Sequence, residues 1–117
     1  MIKSYTDLQI YKDAYRLSLD IYKLTQKFPK EETYGIISQI RRAAVSVALN
    51  IAEGYGRQSK EEFRRFLKIS LGSNNETMTL LELSKDLEYL NIEEYQKLKN
   101  QYILLGKRIH KVIECWK

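Results

Sequence analysis

Ten consecutive residues, Ala43 to Ala52, carry no charge in a chain of which 30% is Asp, Glu, Lys or Arg. They sit inside the run Gln39 to Gly56, and they narrow what the chain can fold into. On a helix, Ile37, Ile40, Ala44, Val47 and Ile51 fall at spacings of three and four and form one apolar seam. At about 100° per residue, Val45 and Leu49 project to the opposite side, while Gln39, Ala43, Ser46, Asn50 and Glu53 form a third stripe, small and polar. A helix with no broad polar face must be covered from several sides. In a chain of 117 residues two arrangements can do this. Either a partner subunit covers Val45, Leu49 or the Ser46/Asn50 stripe, or the helix is wrapped by the rest of its own chain. The shortness of the chain favours the partner.

The remaining sequence reads as three more helices in a single domain over residues 1–117, with one Pro and five Gly in the whole chain. Ser4 with Asp7, or Thr6, caps a first helix over about 6–27. Its heptad seam is Ile10, Ala14, Leu17, Ile21, Leu24 and Phe28. Pro29 ends it. Thr33 is the expected cap of the second helix, over about 33–53, and Gly54 its left-handed terminus. Ser59 and Glu62 form an S-x-x-E capping pattern that opens a third helix over about 59–90. Asn91 with Glu94 opens a fourth over about 92–115, with the seam Tyr95, Leu98, Tyr102, Leu105, Ile109, Val112 and Trp116. Short loops make consecutive helices antiparallel neighbours. The predicted fold is therefore all-α, an antiparallel up-down-up-down four-helix bundle.

Enzyme signatures are sparse, and no catalytic residue, metal site or cofactor is expected. His110 is the single histidine, and Lys107 three residues before it excludes the Glu-x-x-His pattern of di-iron bundles. One His and one Cys, Cys115, cannot build a zinc site, and a lone Cys forms no internal disulfide, which fits a reducing compartment. The Gly54-Tyr55-Gly56-Arg57 loop lacks the Gly-Lys-Ser/Thr of a P-loop. No apolar run approaches about 18 residues, and the first residues lack the apolar stretch of a signal peptide, so a cytoplasmic protein without a membrane span is expected.

Polar residues at packed positions carry more information. Ser46, Asn50, Glu53, Asn74 and Glu76 lie on or beside the seams of the second and third helices, where an unpaired polar group costs about 1–3 kcal/mol. They read as a network fixing helix register or subunit docking. The competing reading is a catalytic carboxylate pair, Glu53 and Glu76, which requires a shared pocket.

Charge is uneven along the chain, which has a formal net charge of +5. Arg57, Arg64, Arg65 and Lys68 surround the start of the third helix, with Arg41 and Arg42 on the helix before it. Over 76 to 94 the acids Glu76, Glu82, Asp86, Glu88, Glu93 and Glu94 face only Lys85. The six cationic residues are candidate phosphate contacts for RNA or DNA. The alternative is that Glu61, three and four residues before Arg64 and Arg65, neutralises part of the cluster through surface ion pairs. No aromatic platform of the RNA-recognition-sheet kind is evident, so little base specificity is expected.

The run QIRRAAVSVALNIAEGYGR, the FP-x-E-E segment at Phe28 to Glu32, the FLKISLGS run and Glu76 together resemble the bacterial four-helix-bundle family also called 23S ribosomal RNA intervening-sequence proteins. The resemblance covers roughly Leu8 to Ile113. It implies a bundle assembled into a ring-like homopentamer. Similar proteins include the accessory variability determinants of diversity-generating retroelements, which associate with a reverse transcriptase and with nucleic acid. Asn50, Glu53 and Glu76 match the family's characteristic polar positions, whereas Asn74 stands where similar proteins carry Leu. Residues and resemblance together predict a non-enzymatic, oligomeric nucleic-acid-binding or ribonucleoprotein accessory protein. The alternative is a pentameric protein-protein adaptor with no nucleic-acid role.

Overall fold

A computed structural model describes residues 1–116. Its four α-helices are α1 (Gln9–Thr25), α2 (Ile36–Gly56), α3 (Lys60–Asp86) and α4 (Ile92–Cys115), and the described residues contain no strand. Contacts between neighbouring helices run in opposite sequence directions. Gly54 of α2 lies against Phe66 and Phe63 of α3, while Ser46 meets Ser73. In α3 and α4, Arg64 reaches Ile113 and Asn74 reaches Tyr102. Asp13 of α1 pairs with Arg108 of α4, and Lys27, two residues past α1, pairs with Glu94. The four helices thus pack as antiparallel neighbours in a bundle of 42 × 24 × 21 Å.

The predicted seams are the core. Leu17, Ile21, Ile40, Ala44, Val47, Ile51, Tyr102 and Ile109 are almost wholly removed from water. On α4 the seam drifts by one residue at its end, so that Ile113 is buried and Val112 only half-buried. This is the expected offset between a 3.5-residue pattern and a 3.6-residue helix.

Several helix ends differ from the sequence expectation. The Ser4/Asp7 capping box forms, but on a single 3-10 turn, Tyr5–Asp7; extended Leu8 then separates it from α1. Thr33 does not cap α2. Its hydroxyl donates to the Lys30 carbonyl at 2.7 Å, and the first α2 amide, Ile36, donates instead to Oε1 of Glu32 at 3.3 Å. The other Glu32 oxygen accepts from the Tyr89 hydroxyl at 2.8 Å, tying the α1–α2 connection to the α3–α4 connection. That bond also pushes the Tyr89 hydroxyl pKa upward. Ser59 accepts from the Glu62 amide, yet the box is not reciprocal, because Glu62 is taken by Arg65. Asn91 and Glu94 do exchange both bonds, at 2.8 and 3.0 Å.

Gly54 is not a left-handed terminus. The helix continues to Gly56, and the left-handed residue of the turn is Gln58, with φ 57°. What Gly54 supplies is closeness. A Cβ there would stand 2.6 Å from the Phe66 Cβ and 3.2 Å from the Phe63 ring. Gly54→Ala gains helix propensity of about 1 kcal/mol but forces α2 and α3 apart, an overpacking cost of about 1–3 kcal/mol. Urea unfolding of this variant is expected to show a lower midpoint at unchanged slope; an unchanged or raised midpoint would mean that α3 yields freely.

Candidate functional site

Antiparallel packing brings the start of α1, the end of α2, the start of α3 and the end of α4 to one end of the bundle. Lys3, Lys12, Arg57, Lys60, Arg64, Arg65, Lys68, Lys107, Arg108 and Lys111 lie in those segments. The segments at the other end hold Glu31, Glu32, Glu82, Asp86, Glu88, Glu93 and Glu94. The first end also carries Asp7, Asp13, Glu53, Glu61, Glu62 and Glu114, and the other end Lys23, Lys27, Lys30, Arg41, Lys85 and Lys97, so cations outnumber acids at the first end while the two signs roughly balance at the second.

The six cationic candidates do not form one patch. Arg41 is near the opposite end, where its Nε donates to Thr25 Oγ1 at 2.8 Å, its Nη2 donates to the Tyr22 carbonyl at 3.3 Å, and its guanidinium covers the Tyr22 ring. It fastens α2 to α1. Arg42 is exposed on the outer side of α2. Arg57 and Arg65 both lie against the Phe66 ring, 5.1 and 4.6 Å from its centroid, and are paired with Glu53 and Glu62. The Arg65 partnership holds the Glu62 carboxyl below its ordinary pKa. Arg64 donates to the Ile113 carbonyl at 3.1 Å and so closes the C-terminal end of α4. Lys68 is exposed, as are Lys60, Lys107 and Lys111, and among the described residues none of these four has an ion-pair partner. The lysines, more than the arginines, are the cations a phosphate would find available.

The polar candidates separate as well. Asn50 donates to both the carbonyl and Oγ of Ser46 at 2.9 Å, and Ser46 bonds Ser73 at 2.8 Å, so these three bridge the α2/α3 seam. Ser70 adds a bond to the Val47 carbonyl. Ser73 was not among the residues singled out from sequence, although its position one turn from Ser70 and Thr77 marks the same stripe. Asn74 points the other way, into the bundle. Its Nδ2 donates to the Tyr102 carbonyl at 3.0 Å, and its Oδ1 is buried without a partner among the described residues. Glu53 and Glu76 are exposed and separated by about 15 Å along the helix axes, given a 1.5 Å rise per residue. They share no pocket.

On the outer side of the α2/α3 pair the chain does not cover itself. Leu49 is 61% exposed, beside exposed Arg42 and half-buried Val45. On α3, Ile69, Gly72, Glu76, Thr79 and Leu83 are all exposed at spacings of three and four. Wrapping of α2 by its own chain is thereby excluded.

A cavity of about 490 Å³ opens at the basic end, walled by Tyr5, Tyr55, Phe63 and Trp116 with Lys3 and Lys60. Sequence periodicity assigned Trp116 to a seam and Tyr55 to a loop, and nothing in the spacing joins them. Among the described residues no group of three potential metal ligands occurs, and no helix is long and apolar enough to cross a membrane.

A small-residue α2 docked on α3, inside a bundle of four antiparallel helices, defines the class of protein. The family model of the 23S rRNA-intervening sequence proteins matches residues 6–111, and the chain belongs to that family. It is also similar to a crystal structure from Bacteroides thetaiotaomicron, a protein of unknown function from the S23 ribosomal protein family. The similarity has a TM-score of 0.79 at 27% identity, over 89% of this chain and 97% of that one. No curated protein matches the chain.

The unpaired Asn74 oxygen leads to a stability prediction. Asn74→Leu removes a buried unsatisfied acceptor, and Tyr102 retains its place in the helix. The variant is therefore expected to be within about 1 kcal/mol of the parent or more stable. A thermal melt showing a loss above about 2 kcal/mol would mean that the bond to Tyr102 outweighs the stranded oxygen.

Proposed function

We propose that the protein is a non-enzymatic, basic homo-oligomer that holds nucleic acid by phosphate contacts at one end of its bundle, in the cytoplasm. The observation that carries this reading is the gathering at that end of exposed lysines with no ion-pair partner among the described residues. Arg64 brings the first turns of α3 beside the last turns of α4, and Lys68, Lys107 and Lys111 are exposed on those turns. The family's name associates its members with intervening sequences of 23S rRNA, which supports RNA as the polymer.

Assembly is supported by the uncovered outer side of α2 and α3, where Leu49, Ile69 and Leu83 offer apolar surface to another copy. A homopentamer follows from the resemblance, and ring symmetry would repeat each lysine cluster, so that weak contacts add by avidity. A second reading, a pentameric protein-protein adaptor with no nucleic-acid role, is favoured by one fact. Arg57, Arg65 and Arg108 are already engaged by carboxylates and present little unsatisfied charge to a phosphate.

Two measurements test these proposals. Lys68→Ala with Lys107→Ala should weaken binding to short mixed RNA and make the dependence of log K on log salt shallower by about 1.4, two contacts at about 0.7 each on a single strand. Wild-type protein that binds no RNA at low salt would leave the adaptor. For assembly, light scattering should give a mass near five times 13.9 kDa for the parent and a single chain for Leu49→Glu. A monomeric parent would end the oligomer reading.

A further inference from the structure

The cavity at the basic end is built by segments distant in sequence: Tyr5 ahead of α1, Tyr55 at the end of α2, Phe63 in α3 and Trp116 beyond α4. Phe63 is buried and belongs to the core. Tyr5 is exposed, and Tyr55 and Trp116 are half-buried, so three rings keep surface available at the cavity. The rings brace one another: Tyr55 meets Phe63 edge to face at 5.8 Å, and Phe63 meets Trp116 at 4.8 Å. Braced aromatic walls lose little conformational freedom when a flat ligand enters.

The polar lining has one sign. Lys3 and Lys60 are present, and among the described residues no Asp or Glu lines the cavity. Gln58 adds an amide that both donates and accepts, as the edge of a base requires. At about 490 Å³ the space lies within the ~300–1,000 Å³ typical of small-ligand sites. A flat ring carrying a negative group matches the aromatic walls and the cationic lining together, whereas a purely apolar ligand leaves the lysines unmatched and a cationic one is repelled by them.

We propose that this cavity takes one unstacked nucleotide, its base among Tyr5, Tyr55 and Trp116 and its phosphate against Lys3 and Lys60. As part of a single strand, this nucleotide rests on the nucleic-acid reading above; as a free mononucleotide it does not. Stacking on aromatic side chains tolerates any base, so such a site anchors a strand without reading its sequence.

The chain has a single Trp, and Trp116 is at the cavity, so its fluorescence reports occupancy directly. The parent would be titrated with AMP, with a short single-stranded RNA, and with an abasic strand of equal phosphate number. RNA should quench Trp116, and the abasic strand should bind more weakly without quenching. Tyr55→Ala should lower RNA affinity about tenfold at an unchanged salt slope, since stacking releases no counterions. Lys60→Ala, at an exposed position that leaves packing intact, should lower affinity and reduce the slope by about 0.7.

If RNA binds but Trp116 stays silent and both variants bind like the parent, the cavity proposal is overturned and the phosphate reading stands. If AMP quenches Trp116 while no strand binds, the cavity is a mononucleotide site and the phosphate reading falls. Absence of both responses overturns both.

Discussion

The close approach of α2 to α3 is the constraint on which the remainder of the fold depends. It is possible because the facing residues are small. Gly54 lets the Phe66 Cβ come within reach, Ala43 is buried nearby, and Ser46 and Ser73 meet through hydroxyls instead of bulk. Ser70 bonds the Val47 carbonyl across the same seam, and Asn50 closes back on Ser46. Each of these bonds satisfies a group that would otherwise be stranded between two helices. Together they pin the register of α2 on α3, and that register determines which residues are left facing outward.

Two surfaces follow from this register, and α3 contributes to both. On its side toward α2, Ile69, Gly72 and Leu83 continue the uncovered face begun by Leu49. Lys68 is exposed at the level of the bundle where α4 carries exposed Lys107 and Lys111, because Arg64 fixes the start of α3 against the end of α4. The arginines largely serve the bundle itself. Arg41 fastens α1, Arg64 closes α4, and Arg57 and Arg65 cover Phe66. Their exposed ion pairs add little stability, since solvent screens them. Their packing over an aromatic ring matters more.

Much of the architecture was legible before any coordinate. Heptad seams such as Ile10 to Phe28 and Tyr95 to Ile109 name the buried face of each helix, because an apolar stripe must be covered. The Asn91/Glu94 box places the start of α4 to the residue. Where the reading of helix ends failed, another group had competed for the same position, twice from within one turn and once from the facing helix. Glu62 is drawn from its cap by Arg65, Glu32 takes over the start of α2 from Thr33, and Gly54 serves packing instead of a turn. The candidate site was less legible. Arg41 and Arg64 were named for their charge, but charge does not reveal whether a guanidinium is already engaged.

Sequence alone determined the all-helical class, the seams of α1, α2 and α4, and a charge-free stretch of α2, Ala43 to Ala52, that sets Leu49 opposite its seam. These follow from composition and period, which act within one helix. Only the tertiary structure decided which cations stay available and that Tyr5, Tyr55 and Trp116 converge beside Lys3 and Lys60. Such convergence depends on helix register and on how chain ends meet across the bundle. Those quantities arise from close packing between segments, and no local pattern encodes them.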